Sequence, residues 1–309
     1  MHESPQQAIL DRSEPAANVA EHFTPQMQML RDLANYGSNL ILRAYDSSQK
    51  GLPDVIVCGV LLKQIVAMVD AIEVLLTSGI SHVAYLPART AFEASLYIDF
   101  ILEQDSEHRA RCYLVSNYRD ELLWASRATK GSPESVAFEQ ATGGLSQGIH
   151  ERRPELEAIA KAQLGEVRRI LKQPALLAIN ERFEKFKAKR GHDPDWYVLS
   201  GINSIAHMAK HLDRRHEYVV FYSKGSLVTH SGSYRDHLRF VGKEVRFKPV
   251  RHIAELNNLL NFAGSIAMHS FRKVVTRYRP GEISAFTAKY AQDWRDPFLN
   301  AKHVTYSDF

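Results

Sequence analysis

Residues 84–102, AYLPARTAFEASLYIDFIL, carry apolar side chains around most of the circumference of a helix. A helix that is apolar on every side is buried, because no face of it gains from contact with water. This stretch therefore predicts a central helix surrounded by other helices. Apolar spacings of three and four also dominate the rest of the chain, and alternating β-branched runs are nearly absent. The sequence thus predicts an all-α fold.

The same periodicity predicts about ten helices, with ends that can move by about 2 to 4 residues. SPES at 132–135 is typical of a serine N-cap followed by proline in the first turn. RFVGKEVRFKP at 239–249 predicts a short β-hairpin or an extended arm. Helices are expected over residues 25–46, 54–79, 84–103, 106–129, 133–142, 153–172, 175–190, 201–212, 215–231 and 249–278.

Length and composition favour one multi-helix domain over residues 24–279, because 45% hydrophobic residues supply a core of useful size. Within it, the more polar residues 131–195 are expected to form a peripheral insertion. Residues 1–23 lack a cationic start followed by an apolar run, so we expect a flexible tail there and not a secretory signal. Residues 280–309 are expected to form a C-terminal tail.

The most apolar window, residues 55–79, resembles a membrane span in length only. Its three charged residues are too many for an ordinary span, so we expect a buried helix of a soluble, cytoplasmic protein without membrane contact. Neither cysteine belongs to a C-x-x-C motif, and buried, reduced thiols are expected at both positions. The charged residues are Lys63, Asp70 and Glu73, and the cysteines are Cys58 and Cys112.

Positive charge is concentrated in residues 235–279. Ten cations against three acidic residues give this segment a charge of +7, so the remainder of a chain with net charge +4 sums to −3. Such an excess favours RNA or another phosphate-bearing ligand as partner, although a solvated basic face that serves solubility is the simpler alternative. The cations are Arg235, Arg239, Lys243, Arg246, Lys248, Arg251, Arg272, Lys273, Arg277 and Arg279.

A second helical stretch, YVVFYSKGSLVTH at 218–230, carries a polar face without charge. A neutral face of hydroxyls and an imidazole predicts a buried hydrogen-bond network or the lining of a pocket. Gly225 permits close approach of another backbone or of a ligand. At 100° per residue an arc of about 140° holds Tyr218, Thr229, Tyr222, Ser226, His230 and Ser223, with Val219 among them.

In the stretch 84–102, Arg89 and Glu93 lie four residues apart in the middle of an apolar arc. We therefore expect a buried ion pair, although burying two charges seldom stabilises a fold more than apolar residues would. Two interpretations stay open. The pair either holds the helices in register or presents a guanidinium and a carboxylate to a pocket.

Weaker signals concern metal binding and the helix after residue 105. His207 and His211 have the four-residue spacing of two metal ligands, but the glutamate of H-E-x-x-H is missing, so we predict no metal and no cofactor. Phosphate-binding glycine loops and a G-x-S-x-G elbow are also absent.

Tyr113 is expected to pack, and Arg119 to pair at the surface near Asp120 or Glu121. Alternatively, an antiparallel neighbour brings both near Glu93.

Two blocks of the chain resemble a bacterial family of unknown function, DUF5677. They are GISHVAYLPARTAFEASLYIDFIL with HRARCYLVSNYRDELLW, and WYVLSGINSIAHMAKHLDRRHEYVVFYSKGSLVTHSGS. The family typically shows an R-x-x-x-E helix, an R-x-x-x-Y helix and a late helix end of the type Y-x-x-x-S-x-x-x-H-G. Here Ser231 stands between the histidine and Gly232. The matching residues are Arg89 with Glu93, Arg109 with Tyr113, and Tyr222 with Ser226 and His230.

The late, histidine-bearing helix is more distantly similar to HEPN proteins. That resemblance implies a helical bundle core, homodimers, and metal-independent ribonucleases of phage-defence and toxin systems. The HEPN hallmark is an arginine, four to six intervening residues and then a histidine on one helix, whereas the nearest upstream arginine here is Arg215, about four turns before His230. Arg89, from another helix, is the best candidate to replace it.

Two function hypotheses follow. In the first, the protein cleaves or binds RNA: His230 is the general acid or base, Arg89 stabilises the phosphorane, Glu93 orients Arg89, and Tyr222 and Ser226 fix the phosphate.

The basic segment, beginning with Arg235 and Arg239, would then hold the RNA backbone, and a protein partner would be encoded nearby. In the second hypothesis the same side chains bind a small ligand or lock a helix interface in a non-catalytic sensor or interaction module. Both hypotheses require Arg89 and His230 to converge in a site sheltered from bulk water.

Overall fold

A computed structural model describes residues 10–48, 52–143, 147–232 and 234–304. The described chain is predominantly helical with one small sheet, so the predicted all-α fold with a short hairpin is confirmed. The principal helices are α1 (Ser13–Ser47), α2 (Pro53–Thr77), α3 (Tyr85–Glu103), α4 (Ser106–Ala128), α5 (Pro133–Thr142), α6 (Gln147–Leu171), α7 (Pro174–Arg190), α8 (Ile205–His211), α9 (Arg215–Glu217), α10 (Ser223–Thr229), α11 (Leu256–Tyr278), α12 (Ile283–Lys289) and α13 (Arg295–Leu299).

Four long helices, α1, α2, α3 and α11, pack against one another in a first unit, which comprises the described residues of Met1–Gln104 and Ile205–Phe309. Phe92 of α3 and Phe262 of α11 meet in its core with ring centres 5.7 Å apart. Leu33 of α1 and Ile65 of α2 are fully buried beside these helices. The stretch 84–102 thus forms the central helix that its composition predicts.

Helix α2 is the one described helix that is long and apolar enough to cross a membrane, and half of its most apolar stretch is buried within the protein. Its Glu73 is buried and accepts a hydrogen bond from Arg31 of α1 at 2.9 Å. Burial of an apolar helix against helices of its own unit is typical of a soluble protein. Cys58 on α2 and Cys112 on α4 are both buried and unpaired, as predicted.

Residues Asp105–Ser204 form a second unit, in which α4 packs on α5, α6 and α7. This corrects the prediction of a single domain over residues 24–279 with an insertion at 131–195. The second unit begins earlier because α4, although followed by a break, packs with the polar helices that come after it. Within this unit, Ser132 caps α5 as predicted, its Oγ accepting a hydrogen bond from the Ser135 amide at 2.9 Å.

Helices occupy most of the described part of both segments that were expected to form tails. Helix α1 begins at Ser13 and passes through Pro25, and it buries Val19 and Phe23 before the expected start. At the other end Trp294 is fully buried, and its indole N–H donates to Asp32 Oδ2 at 2.7 Å. Residues 1–9 and 305–309 of those tails lie outside the described residues.

The predicted hairpin near residues 239–249 is confirmed. Strands β1 (Leu238–Val241) and β2 (Glu244–Phe247) pair antiparallel, with Arg239 opposite Arg246. Gly242 in the connecting turn has φ +62°, a left-handed conformation that glycine adopts without strain.

Helix α9 continues through a π-helical stretch, Tyr218–Tyr222, into α10. A π turn holds more residues than an α turn, so it shifts the later residues around the helix axis relative to a regular projection. Tyr222 and Gly225 are buried, whereas Val220 and Leu227 are about half exposed. The side that carries Tyr222 and Gly225 therefore packs on α3, while on the apolar side Phe221 stacks on Phe262 with ring centres 4.3 Å apart.

Candidate functional site

Arg89 and Glu93 lie one turn apart on α3, with Arg89 Nη2 3.2 Å from Glu93 Oε1. Their side chains are 26% and 29% exposed, so the prediction of a buried pair is wrong. Helix α10 packs on α3 here but leaves about one quarter of each side chain exposed. The guanidinium and the carboxylate are therefore accessible to a ligand.

Tyr222, from the π-helical stretch, joins the two charges. Its hydroxyl accepts a hydrogen bond from Arg89 Nη2 at 2.8 Å and donates one to Glu93 Oε1 at 2.7 Å. The guanidinium carbon also lies 4.7 Å from the centre of the Tyr222 ring. Burial and the hydrogen bond to Glu93 raise the pKa of Tyr222 to about 12, although Arg89 opposes the shift. The phenol therefore stays protonated near neutral pH and orients both partners.

The remaining edge of the Arg89 guanidinium is less firmly held. Arg89 Nη1 lies 3.5 Å from Thr229 Oγ1, the long limit of a hydrogen bond, and the buried Nε has no hydrogen-bond partner in the described structure. Desolvation acts to lower the pKa of Arg89, but the hydrogen bond that Arg89 donates to Tyr222 and the charge of Glu93 outweigh it and raise that pKa. Arg89 is thus a fixed cation with donor capacity left over.

Gly225 allows α10 to lie against α3 at this point. A Cβ atom built on Gly225 would stand 2.9 Å from Arg89 Cβ and 2.9 Å from the backbone oxygen of Tyr85. Of the two uses that the sequence left open for Gly225, close approach of another backbone is the one found.

His230 is exposed on the turn that follows α10, where its backbone N–H donates to Ser226 O at 3.1 Å. The neighbouring Thr229 reaches Arg89, and Ser226 is half-buried. The expectation of a sheltered imidazole is therefore wrong, because α10 ends at Thr229 and His230 lies on the exposed turn beyond it. The structure brings together Arg89, Glu93 and Tyr222 and places His230 one residue beyond their contact with Thr229.

Arg109 and Tyr113 lie on α4, in the second unit. Arg109 is buried, and the Tyr113 ring packs edge-on against Trp196 at 5.7 Å. Arg119 is also buried and bonds Asp193 Oδ1 at 2.7 Å and Glu184, so the prediction of a surface pair is wrong.

Two basic candidates follow α10 in the first unit. Arg235 is exposed and donates from Nε to the hydroxyl of its neighbour Tyr234 at 3.0 Å, and Arg239 is half-buried on β1. Both belong to the segment with the excess of positive charge, and Arg235 lies at its start.

Sequence reasoning missed a second polar cluster on α3. Asp99 is buried and bonds Arg214 Nη1 at 2.8 Å and His269 Nε2 at 2.7 Å. Arg214 also donates to Ser95 Oγ at 2.7 Å and to both carboxylate oxygens of Glu217. The four-residue spacing of Ser95 and Asp99 within an apolar helix was the available signal.

The histidines with metal-ligand spacing have other roles. His211 Nε2 lies 2.9 Å from Glu103 Oε2. Within the described residues, no group of three or more His, Cys, Asp or Glu side chains is placed to hold a metal ion.

Comparison with known proteins identifies the family. The model of the family of unknown function DUF5677 matches residues 55–245, which include α3, α4 and α10. The chain belongs to the DUF5677 family. No curated protein and no solved structure matches it. All the residues of the Arg89 contacts lie inside the DUF5677 match, whereas His269 lies outside it.

Proposed function

We propose that this DUF5677 protein binds RNA, or another ligand that carries phosphate, on the surface formed by Arg89, Glu93, Tyr222 and Thr229, here called the Arg89 surface. The observation that carries the proposal is the Arg89 guanidinium, whose side chain is about one quarter exposed and which is fixed by a hydrogen bond to the Tyr222 hydroxyl. A guanidinium held in advance loses little conformational entropy when it binds a phosphate oxygen.

Charge along the chain supports the same proposal. The basic segment starts at Arg235, five residues after His230, and adds cations that can contact a nucleic-acid backbone. Such contacts make binding depend on salt, because each neutralised phosphate releases counterions. Arg235 and Arg239 are the cations of this segment nearest in sequence to the Arg89 surface.

RNA cleavage is the catalytic form of this proposal, and it needs no metal. His230 would act as general acid or base when a ribose 2′-hydroxyl attacks the phosphate, and Arg89 would stabilise the charge of the phosphorane. Glu93 would orient Arg89, while Tyr222 and Ser226 would fix the phosphate. Because His230 is exposed on the turn beside Thr229, catalysis would require the bound strand itself to shelter the imidazole from bulk water.

Binding is tested by fluorescence anisotropy with a single-stranded RNA over a range of salt concentrations. Arg89→Ala is expected to weaken binding and to lower the slope of log affinity against log salt by about one. Arg295→Ala, which removes an exposed arginine of α13, is the matched control and should leave both unchanged. Equal affinities for the wild type and Arg89→Ala would refute RNA binding at this surface.

Cleavage is tested by expressing the wild type and His230→Ala from a tightly controlled promoter. Toxicity and RNA cleavage that disappear in His230→Ala, with an unchanged melting temperature, would support catalysis. Unaltered growth for both proteins, with no cleavage of any RNA, would remove catalysis and leave only binding.

A second candidate function is a non-catalytic sensor or interaction module. It is supported by the internal hydrogen bonds of Arg89 and by the tight packing of Gly225 on α3, which together suit a lock between helices. Arg89→Ala would then lower stability or weaken binding of a partner, and the protein would have no hydrolytic activity to lose.

The cellular setting is part of the proposal. We place the protein in the cytoplasm as a homodimer with a HEPN-like core, acting in a phage-defence or toxin system beside a protein partner encoded nearby. Sedimentation of the purified chain tests the dimer, and co-purification with the product of the neighbouring gene tests the partner.

A further inference from the structure

A cavity of about 230 Å³ opens beside the N-terminal turn of α3, within the first unit. Ser81 and His82 before α3, Tyr85 on α3 and Lys224 on α10 form one side, and the stretch that leads into α11 forms the other. None of the residues that line it belongs to the Arg89 surface. The cavity is therefore a separate candidate site, and an inference about it goes beyond the proposed function.

Imidazoles are unusually frequent around this cavity. His82, His252 and His303 line it, and His237 packs edge-on against His82 with ring centres 4.6 Å apart. His252 is held in place through its Nδ1, which lies 3.4 Å from Ser81 Oγ. The contact with Ser81 therefore orients the His252 ring in the wall of the cavity.

The charged side chains of the wall balance when the imidazoles are neutral. Lys224 pairs with Glu255 and lies 4.8 Å from the centre of the Tyr85 ring. Asp236 lies 3.9 Å from His82 Nδ1. With Lys248, the wall of the cavity carries two cations and two carboxylates. Each imidazole that takes up a proton therefore gives the cavity one unit of positive charge.

We propose that this cavity binds a phosphate group, either free or at the end of a nucleotide or RNA, and takes up protons as it does so. Phosphate suits the site because its oxygens accept hydrogen bonds from ammonium, imidazole and hydroxyl donors, all of which the wall supplies. The volume exceeds what a phosphate group needs, which leaves room for the atoms that carry it.

The surroundings of the two best-placed imidazoles set the direction of the pH effect. Burial, together with the charges of Lys248, His82 and Lys224, lowers the pKa of His252 to about 4, against the opposing charge of Glu255. The pKa of His82 is also lowered, by burial and by His237, Lys224 and Lys248, against Asp236.

Both rings are thus neutral in the empty cavity at neutral pH. A phosphate dianion favours their protonated forms, so affinity rises as the pH falls. Linkage to one proton changes affinity by up to about tenfold per pH unit.

Isothermal titration calorimetry of the full chain with inorganic phosphate tests the proposal. Titrations at pH 6 and pH 8, each in two buffers with different ionisation enthalpies, report the protons taken up. Sulfate serves as a second probe because its charge stays constant in this range, so any pH dependence belongs to the protein. We expect binding of both anions, with proton uptake and at least tenfold weaker sulfate affinity at pH 8.

Two variants and one control locate the site. His252→Asn keeps a polar atom near the position of Nδ1 but removes the titrating ring, and Lys224→Met removes a cation. Each should weaken phosphate binding at least tenfold, and His252→Asn should also reduce proton uptake. His211→Asn, at a histidine that bonds Glu103 outside the cavity, should change neither.

Absence of binding for both anions at pH 6, or wild-type affinity in both folded cavity variants, would overturn the proposal. Competition by an RNA with a 5′-phosphate, but not by the same RNA with a 5′-hydroxyl, would support a terminal phosphate as the source. Binding of inorganic phosphate without competition from either RNA would support free phosphate. Arg89→Ala should retain phosphate binding in this cavity, which separates a failure here from a failure of the Arg89 surface.

Discussion

Two charged clusters share helix α3 but differ in their exposure. Near its start, Arg89 and Glu93 are each about one quarter exposed, and both form a hydrogen bond with the Tyr222 hydroxyl. Near its end, Asp99 and Arg214 are buried, with 4% and 7% of their side chains exposed. The contrast separates charges that a ligand can reach from charges that serve the fold.

The difference teaches what burial requires of a charge. Arg214 has three carboxylate or hydroxyl partners, and Asp99 is also contacted by His269. A buried ion survives only when such partners replace water. Arg89 keeps a buried Nε without a partner and a long contact to Thr229, an arrangement that suits a group completed by a ligand.

The largest effect is expected for Arg214→Met. The change leaves Asp99 buried without its principal cation and Glu217 without its partner, so we expect a loss of about 3–5 kcal/mol in the free energy of unfolding. Urea denaturation monitored by circular dichroism measures it.

Arg89→Met is the matched comparison on the same helix. Because water can solvate Glu93 once the cation is gone, we expect a loss of about 1 kcal/mol. Equal losses in the two variants would contradict the distinction between the clusters and would favour the interpretation of Arg89 as a lock between helices.

The next effect concerns the packing of α10 on α3. In Gly225→Ala the new methyl group meets the backbone oxygen of Tyr85, which cannot move aside as a flexible side chain can. The strain of overpacking should outweigh the gain of about 1 kcal/mol in helix propensity and give a net loss of about 1–2 kcal/mol. Thermal and urea unfolding measure the change.

Gly165→Ala provides the control for Gly225→Ala. Gly165 lies inside α6, and a Cβ atom there meets nothing within 4 Å. The same substitution should therefore be neutral or stabilise the protein by up to about 1 kcal/mol. A stabilising Gly225→Ala would mean that α10 adjusts on α3, and the Arg89 contacts would not be rigid.

Sequence patterns predicted most helices because each buries a face with local periodicity. They missed the beginning of α1, because residues 1–23 were expected to form a flexible tail, although α1 begins at Ser13. They also missed Asp99 with Arg214, since 115 positions separate these residues and no local spacing links them.

The Arg89 site was predicted only in part, because local spacing links some of its residues but not all of them. The spacing of Arg89 and Glu93 within one helix made their pairing visible, and the polar face of 218–230 identified Tyr222. The π-helical stretch Tyr218–Tyr222 was not visible in the sequence, because a regular projection assumes constant phase. The wrong expectation that His230 is sheltered has another cause: the helix was expected to continue to residue 231, but α10 ends at Thr229.

A smaller effect should distinguish function from stability at the Arg89 site. Tyr222→Phe keeps the ring beneath Arg89 but removes the hydroxyl that joins both charges, while Arg89 and Glu93 can still pair directly. We expect a loss of about 1 kcal/mol in stability. RNA affinity should fall as well, because the guanidinium is no longer fixed. Reduced stability with unchanged affinity would favour the lock between helices over the binding surface.

The smallest expected effect is the loss, at alkaline pH, of the stability that Tyr222 contributes. Its pKa is about 12 in the folded protein, against a value of 10.0 when unperturbed. A raised folded pKa means that the folded state holds this proton more tightly, so the contribution is complete below pH 10 and is lost as the pH rises towards 12. The difference in unfolding free energy between the wild type and Tyr222→Phe should therefore narrow as the pH rises from 10.0 to about 12. Tyr234→Phe, at an exposed tyrosine, is the control. The absorbance titration of the wild type minus that of Tyr222→Phe reports the ionisation of the Tyr222 phenol. A midpoint near pH 10 in this difference would show that Glu93 does not hold the phenol proton, and that the Arg89 site is as open to water as an ordinary surface ion pair.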